Sequence, residues 1–377
     1  EAFTGAVKIL PLTILAIILV VGSFPVSLIL TAIVKKLAVG IDFVARPTAD
    51  RYHRTVIPLG GGIAIFGTIA GFLLSAILII KFLLAPGRLG WLGSSVTIHC
   101  AGFLDKTSQL VIVLLCVLVL FLLGLADDKK HLGPFFKLIV QFAVAITAAY
   151  FADIRVEFFI PNKIITSLLS AFWIVLIINV FNFLDNMDGA SAGMAIISAS
   201  VLFAAAALSR QVFVGSMALI FIGTLLGFLV FNFPPAKIFM GDAGSLVIGF
   251  FVALLTVRTT YFHQAQSGNW YQVFLPLVVM AVPLYDFLSV TFLRITQGKS
   301  PFVGDTQHFS HRLKKQGLSD VQAVLTLYLA TLCTGLGATF LYQVNLAGAV
   351  LIFAQTFMVL AVIAIFESTA QNDKNPS

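Results

Sequence analysis

The sequence predicts an all-α integral membrane protein of about eleven transmembrane helices, with its N-terminus outside and its C-terminus cytoplasmic. Three observations predict it. Hydrophobic residues make up 59% of the 377 residues against 10% charged, with a mean hydropathy of +1.04, more apolar surface than a soluble domain can cover with polar groups. Apolar runs long enough to cross a hydrocarbon core, which takes about 20 helical residues, recur along the whole chain. Basic residues gather in alternate connecting segments, the bias that sets membrane orientation.

Taken in order, the spans fall at roughly 9–34, 62–84, 108–126, 135–152, 164–182, 194–209, 212–231, 244–262, 270–293, 322–342 and 346–366. Residues 9–34 have the length of a full span rather than of a short signal-peptide core. The whole chain, 1–377, is expected to form one polytopic domain with functional loops at 35–61, 127–134, 183–193, 232–243 and 294–321. Fourteen of the 23 lysines and arginines lie in the loops after odd-numbered spans, from Lys35 and Lys36 through Arg312, Lys314 and Lys315 to Lys374. Eight lie on the opposite side, and Lys137 lies inside a helix. The net charge of +7 is then a cytoplasmic-loop effect and requires no nucleic-acid partner. Cys100, Cys116 and Cys333 show neither metal nor redox spacing.

The same loops carry the carboxylates. Asp127 and Asp128 stand side by side where the third span emerges. Adjacent carboxylates suit a hard divalent cation such as Mg²⁺, although an acidic pair at a helix end is often only a solvated terminus. After the fifth span, Asn179, Asn182, Asp185 and Asp188 recur every three residues. On a helix or its last turn that spacing makes one polar stripe, expensive at membrane depth unless it lines a wet cavity or binds something. A capped helix end followed by the turn at Gly189 is the plainer reading. Asp242 stands between Gly241 and Gly244, just ahead of an apolar helix. It suits an N-cap, or a place where exposed backbone N–H groups meet a phosphate.

After the ninth span come His308 and His311, three apart, with Arg312 adjacent. This grouping suits a diphosphate. Zinc is the weaker alternative, because no cysteine or third histidine lies close in sequence. Polar clusters in four same-side loops describe a metal–phosphate centre. A transporter would instead place ionisable groups in mid-span, often in repeated halves, whereas here they lie almost wholly at one end of the helices, with Lys137 the main exception. A membrane scaffold gives no reason for carboxylates in three separate loops.

These segments resemble, in order and over nearly the whole chain, the polyprenyl-phosphate N-acetylhexosamine-1-phosphate transferases, in particular the bacterial UDP-GlcNAc:undecaprenyl-phosphate enzymes. The resemblance rests on Arg46-Pro47 with Arg51, His53 and Pro58-Leu59-Gly60-Gly61-Gly62; on Asp127-Asp128 followed by Lys137 and Gln141; on Asn179 to Gly189; on Phe239-Met240-Gly241-Asp242-Ala243-Gly244-Ser245; and on Asp305 to Arg312. Ser310 stands where the family commonly has a third histidine. The Val56-Ile57-Pro58-Leu59-Gly60-Gly61 stretch departs from the sister phospho-MurNAc-pentapeptide transferases, which favours a simple HexNAc substrate.

The resemblance implies transfer of a sugar 1-phosphate, GlcNAc-1-phosphate before others, from a UDP-sugar to undecaprenyl phosphate. UMP is released at the cytoplasmic face of a bacterial plasma membrane, with Mg²⁺ or Mn²⁺ required. It implies Asp242 and Asp128 as metal ligands, with Asp127, Asp185, Asp188 and His308 as catalytic groups. Lys137, Asn179, Asn182, His53, His311 and Arg312 would bind substrate. Homodimers occur in the family.

Overall fold

The computed structural model describes residues 2–46, 56–84, 86, 102–156, 160–259, 270–300 and 308–372. The chain is nearly all helix: α1 Ala2–Gly40, α2 Gly61–Ile79, α3 Thr107–Lys130, α4 Pro134–Phe151, α5 Lys163–Leu184, α6 Ala190–Leu208, α7 Val212–Asn232, α8 Gly241–Arg258, α9 Leu275–Val279, α10 Ala281–Thr296, α11 Phe309–Lys315, α12 Asp320–Phe340 and α13 Leu346–Asn372. A π-helical turn, Ile80–Leu84, extends α2. Among the described residues ten helices are long and apolar enough to cross a membrane, or eleven if α9 and α10 with the 3₁₀ turn before them form one span.

That ninth span differs from the straight helix expected over 270–293, because it bends by 62° at Met280. Pro276 and Pro283 flank the bend, each in the first turn of its helix, where a missing N–H is tolerated but continuation from the preceding helix is not. The other boundaries follow local chemistry. Asn162 accepts the N–H groups of Ile164 and Ile165 to open α5, and Ser319 with Gln322 forms a capping box on α12. Gly133 and Pro134 open α4. A two-residue antiparallel pairing, Val44–Ala45 with Ile57–Pro58, adds a small strand element that hydrophobic periodicity does not announce.

Helix α8 forms the axis of the bundle, with 83% of its apolar window buried against α2, α3, α5 and α6. Small residues allow this. Any side chain at Gly249 would meet the backbone of Ile178 on α5 at 2.6 Å, the close approach that membrane helices use where no hydrophobic force separates them from lipid. The outer helices α1, α10, α12 and α13 carry large exposed apolar residues such as Ile29, Phe292, Leu329 and Phe357, as a lipid-facing shell requires. The protein is a multi-pass membrane protein.

Candidate active site

The N-terminus of α8 is the point on which the separate sequence motifs converge. Its first residue, Gly241, has φ 68°, and Asp242 follows in the first turn rather than at the cap, since the helix starts two residues earlier than an N-cap reading requires. Asp128, at the end of α3, accepts the backbone N–H of Asp242 at 2.8 Å and that of Ala243 at 3.2 Å. Its carboxylate thereby closes an N-terminus left open by the lack of a side-chain cap.

The neighbouring Asp127 faces the other way. Its Oδ1 accepts the N–H of Leu132 at 2.6 Å, and its Oδ2 accepts from the Lys137 ammonium at 2.8 Å. That ammonium also donates to Asp242 Oδ2 at 3.1 Å. Lys137 is therefore no exception to the one-sided pattern. It sits in the first turn of α4, level with the carboxylates of α3 and α8, and the three side chains are 10–27% exposed, open to a ligand while screened from bulk water.

The first loop is tied to the same point by its backbone. Phe239 donates to Pro58, Gly61 to Phe239 and Gly62 to Met240, at 2.9–3.0 Å. A Cβ at Gly62 would stand 2.3 Å from the Gly244 nitrogen, and one at Gly124 would stand 2.4 Å from that of Ala243. The glycines of two motifs thus let α2 and α3 press against the start of α8.

The asparagine–aspartate stripe is only partly helical, because α5 ends at Leu184 and Gly189, with φ 72°, opens α6. Asn179 donates to Gln141 on α4 at 2.7 Å, and Asn182 donates to Ser245 on α8 at 2.9 Å. Asp185 caps the end of α5. Burial, and after it the carboxylates of Asp242, Asp128 and Asp188, hold its pKa well above the usual carboxylate range. Asp188 leaves the stripe and accepts the N–H of Ala236 at 2.8 Å, next to the cis Pro234–Pro235 peptide.

The donor set fits a hard divalent cation. Asp127, Asp128, Asp185 and Asp242 offer only carboxylate oxygens, and the crowding that raises the Asp185 pKa is relieved by added positive charge. Among the described residues no three His, Cys, Asp or Glu side chains already stand as a ligand group. That suits an ion held by one or two carboxylates plus water and phosphate oxygens rather than a closed protein cage.

On the α10 side, α11 carries the histidine segment. His308 and His311 are 3% and 5% exposed, with ring centroids 6.4 Å apart. The Ser310 hydroxyl donates to Asn186 Oδ1 at 2.7 Å, so the residue that departs from the family pattern fastens α11 to the end of α5. Arg312 donates to Ser289 at 2.9 Å. Burial, followed by the charges of His308, Lys314 and Lys315, pushes the His311 pKa down to about 4. His53, Pro47 and Arg51, and Asp305 to Gln307, lie outside the described residues.

Two site residues escape the sequence reading. Asp286, 1% exposed on α10, meets His308 and the start of α11. Arg294, placed by the sequence in a loop, is 2% exposed inside the last turn of α10, its guanidinium 5.0 Å from the centre of the Phe183 ring. A carboxylate inside a predicted span is itself a functional signal, and Asp286 carried it.

With this geometry in place, the comparisons with known proteins become specific. The model of the family described as "Glycosyl transferase family 4" matches residues 110–260, the stretch from α3 to α8. A Mycolicibacterium smegmatis protein named decaprenyl-phosphate N-acetylglucosaminephosphotransferase is 31% identical over 326 residues, covering 79% of this chain and 75% of that protein. The chain belongs to glycosyl transferase family 4. As a family 4 glycosyl transferase it is also 29% identical over 365 residues to a Bacillus subtilis protein named probable undecaprenyl-phosphate N-acetylglucosaminyl 1-phosphate transferase, covering 93% of this chain and 91% of that one. A Yersinia pestis relative, named undecaprenyl-phosphate alpha-N-acetylglucosaminyl 1-phosphate transferase, is 26% identical over 359 residues, 91% of this chain and 87% of its own. The similarity to these relatives thus covers far more of the chain than the residues the family model matches.

Proposed function

We propose that this family 4 glycosyl transferase moves GlcNAc-1-phosphate from UDP-GlcNAc to undecaprenyl phosphate, releasing UMP, as the first membrane step of a cell-envelope glycan. The observation that carries the reading is the convergence of Lys137 on Asp127 and Asp242, drawn from three helices to one end of the bundle. The relatives named for polyprenyl-phosphate N-acetylglucosaminyl transfer support the lipid and the sugar. The site then faces the cytoplasm of a bacterial plasma membrane, with the N-terminus outside and the C-terminus inside. There a lipid phosphate held at headgroup level meets a water-soluble nucleotide sugar.

In the reaction an oxygen of the lipid phosphate attacks the sugar-bearing phosphorus of the UDP-sugar. One P–O bond forms, the bridging P–O bond breaks, and UMP departs with that electron pair. Lys137 attracts the lipid phosphate, and Asp127 orients the ammonium that holds it. The lipid phosphate is already largely ionised at neutral pH, so Asp127 acts by positioning. His308, His311 and Arg312 hold the diphosphate, while Asn179 and Asn182 fix the floor beneath the uridine. Asp242 and Asp128 would hold Mg²⁺, or Mn²⁺ in its place, with Asp185 beside them and phosphate oxygens and water completing the shell, and the chemistry such an ion would supply is neutralisation of phosphate charge.

Purified protein given UDP-GlcNAc, undecaprenyl phosphate and Mg²⁺ should release UMP, lose that activity in EDTA and regain it with Mg²⁺ or Mn²⁺. UMP release only with UDP-MurNAc-pentapeptide would shift the assignment to the sister branch. No UMP with any UDP-HexNAc would favour a transporter or another non-enzymatic role.

A further inference from the structure

The bent span places a buried carboxylate against the histidine segment. Asp286 lies on α10 and is 1% exposed, in an apolar stretch where an ionisable side chain is costly unless it has a purpose. Both of its oxygens are engaged by two adjacent residues of the histidine segment. Oδ1 accepts the backbone N–H of Phe309 at 2.7 Å, and Oδ2 lies 2.9 Å from His308 Nδ1. An ionised carboxylate only accepts hydrogen bonds, so the histidine nitrogen facing it carries the proton. One turn further along α10, Ser289 accepts from Arg312, so one face of α10 holds both ends of the segment. The His308 ring is also pinned edge-on by Phe183, centroids 5.9 Å apart at 88°.

We propose that Asp286 is the positioning residue of the histidine segment: it fixes the Nδ1–H tautomer of His308 and turns Nε2 toward the donor diphosphate. The inference rests on the transferase reading above. A diphosphate oxygen at Nε2 draws a solvent proton onto that nitrogen, and the Asp286 carboxylate balances the imidazolium so formed, the arrangement by which a buried carboxylate orients and supports a working histidine. No bond to Asp286 forms or breaks. Its second oxygen meanwhile caps the start of α11, so ring orientation and helix docking depend on one group.

The test is a double-mutant cycle on the full-length protein in detergent, reading UMP release from UDP-GlcNAc and undecaprenyl phosphate, with thermal unfolding followed alongside. Asp286→Asn keeps an acceptor for Phe309 but sets an NH₂ group against Nδ1, forcing the other tautomer without the counter-charge. It should lower kcat/KM by about 10- to 100-fold, the usual cost of losing an orienting partner, with little change in melting temperature. In a His308→Ala background the same substitution should cost less than about 2-fold, because Asp286 acts through His308. An equal cost in both backgrounds, or full activity of Asp286→Asn, overturns the proposal. If Asp286→Asn does not accumulate folded, Asp286→Glu is carried through the same cycle under the same criterion. Failure of the transferase reading itself looks different, since the unsubstituted protein would then release no UMP.

Discussion

Asp128 accepts the backbone N–H of Asp242 at 2.8 Å, so a carboxylate at the end of α3 closes the N-terminus of α8. In the sequence the aspartates of the two motifs look like equivalent metal ligands; in the fold one of them holds the other's backbone in place. Asp128→Asn leaves one of two N–H groups facing an NH₂ group. A loss of about 1–3 kcal/mol follows from an unsatisfied buried donor, seen as a lower melting temperature together with lost UMP release. Asp242→Asn should abolish transfer with a much smaller thermal effect. An Asp128→Asn protein as heat-stable as its parent would remove the capping role.

Lys137 bridges Asp127 and Asp242 at 2.8 and 3.1 Å, which puts a monovalent cation where a divalent one is expected to compete. Lys137→Met removes that charge. Mn²⁺ affinity, read by electron paramagnetic resonance titration, should rise by at least about 10-fold, or about 1.4 kcal/mol. Turnover should fall, because the lipid phosphate loses its attractor. Weaker Mn²⁺ binding by the variant would place the ion away from this pair.

At Gly124 a Cβ would lie 2.4–2.5 Å from backbone atoms of Asp242 and Ala243, which cannot swing aside as a side-chain tip can. Gly124→Ala should cost about 1–3 kcal/mol through overpacking and lower activity by displacing Asp242. Gly71→Ala, also helical but with nothing within 4 Å, should be neutral or slightly stabilising. Equal melting temperatures for the two variants would show that α3 does not press on α8.

His311 is held down to about 4 from its ordinary 6.5 by burial and the neighbouring positive charges. The unfolded chain therefore binds the extra proton first. Stability is fully present above about pH 6.5 and is lost as pH falls toward 4, by on the order of 2 kcal/mol at pH 5. Melting temperature should drop between pH 7 and pH 5, and less so in His311→Gln, which has no group to titrate there. An unchanged slope in that variant would assign the pH dependence to other groups.

Much of this was legible in the sequence because the bilayer imposes simple rules. Apolar runs of sufficient length gave the helices, and the exposure of α1, α12 and α13 to lipid follows from the same composition. Asp127, Asp128, Asp185 and Asp242 were recognisable because charge at the end of an apolar helix is expensive without a purpose. The bend at Met280 was not, since a proline near each of two short helices reads equally well as one span.

What the sequence determined by itself was the class of protein, the helices and the short list of polar residues, each a property of local composition and spacing. Which of those residues meet was decided only by tertiary structure. Lys137 reaching Asp127 and Asp242, Asp128 turning away to the N–H of Asp242, and Asp286 pairing with His308 all join residues on different helices. The contacts between Lys137 and Asp242 and between Asp128 and Asp242 span more than 100 residues of chain. They depend on how closely glycines allow α2, α3 and α5 to approach α8, a packing distance that no local pattern encodes.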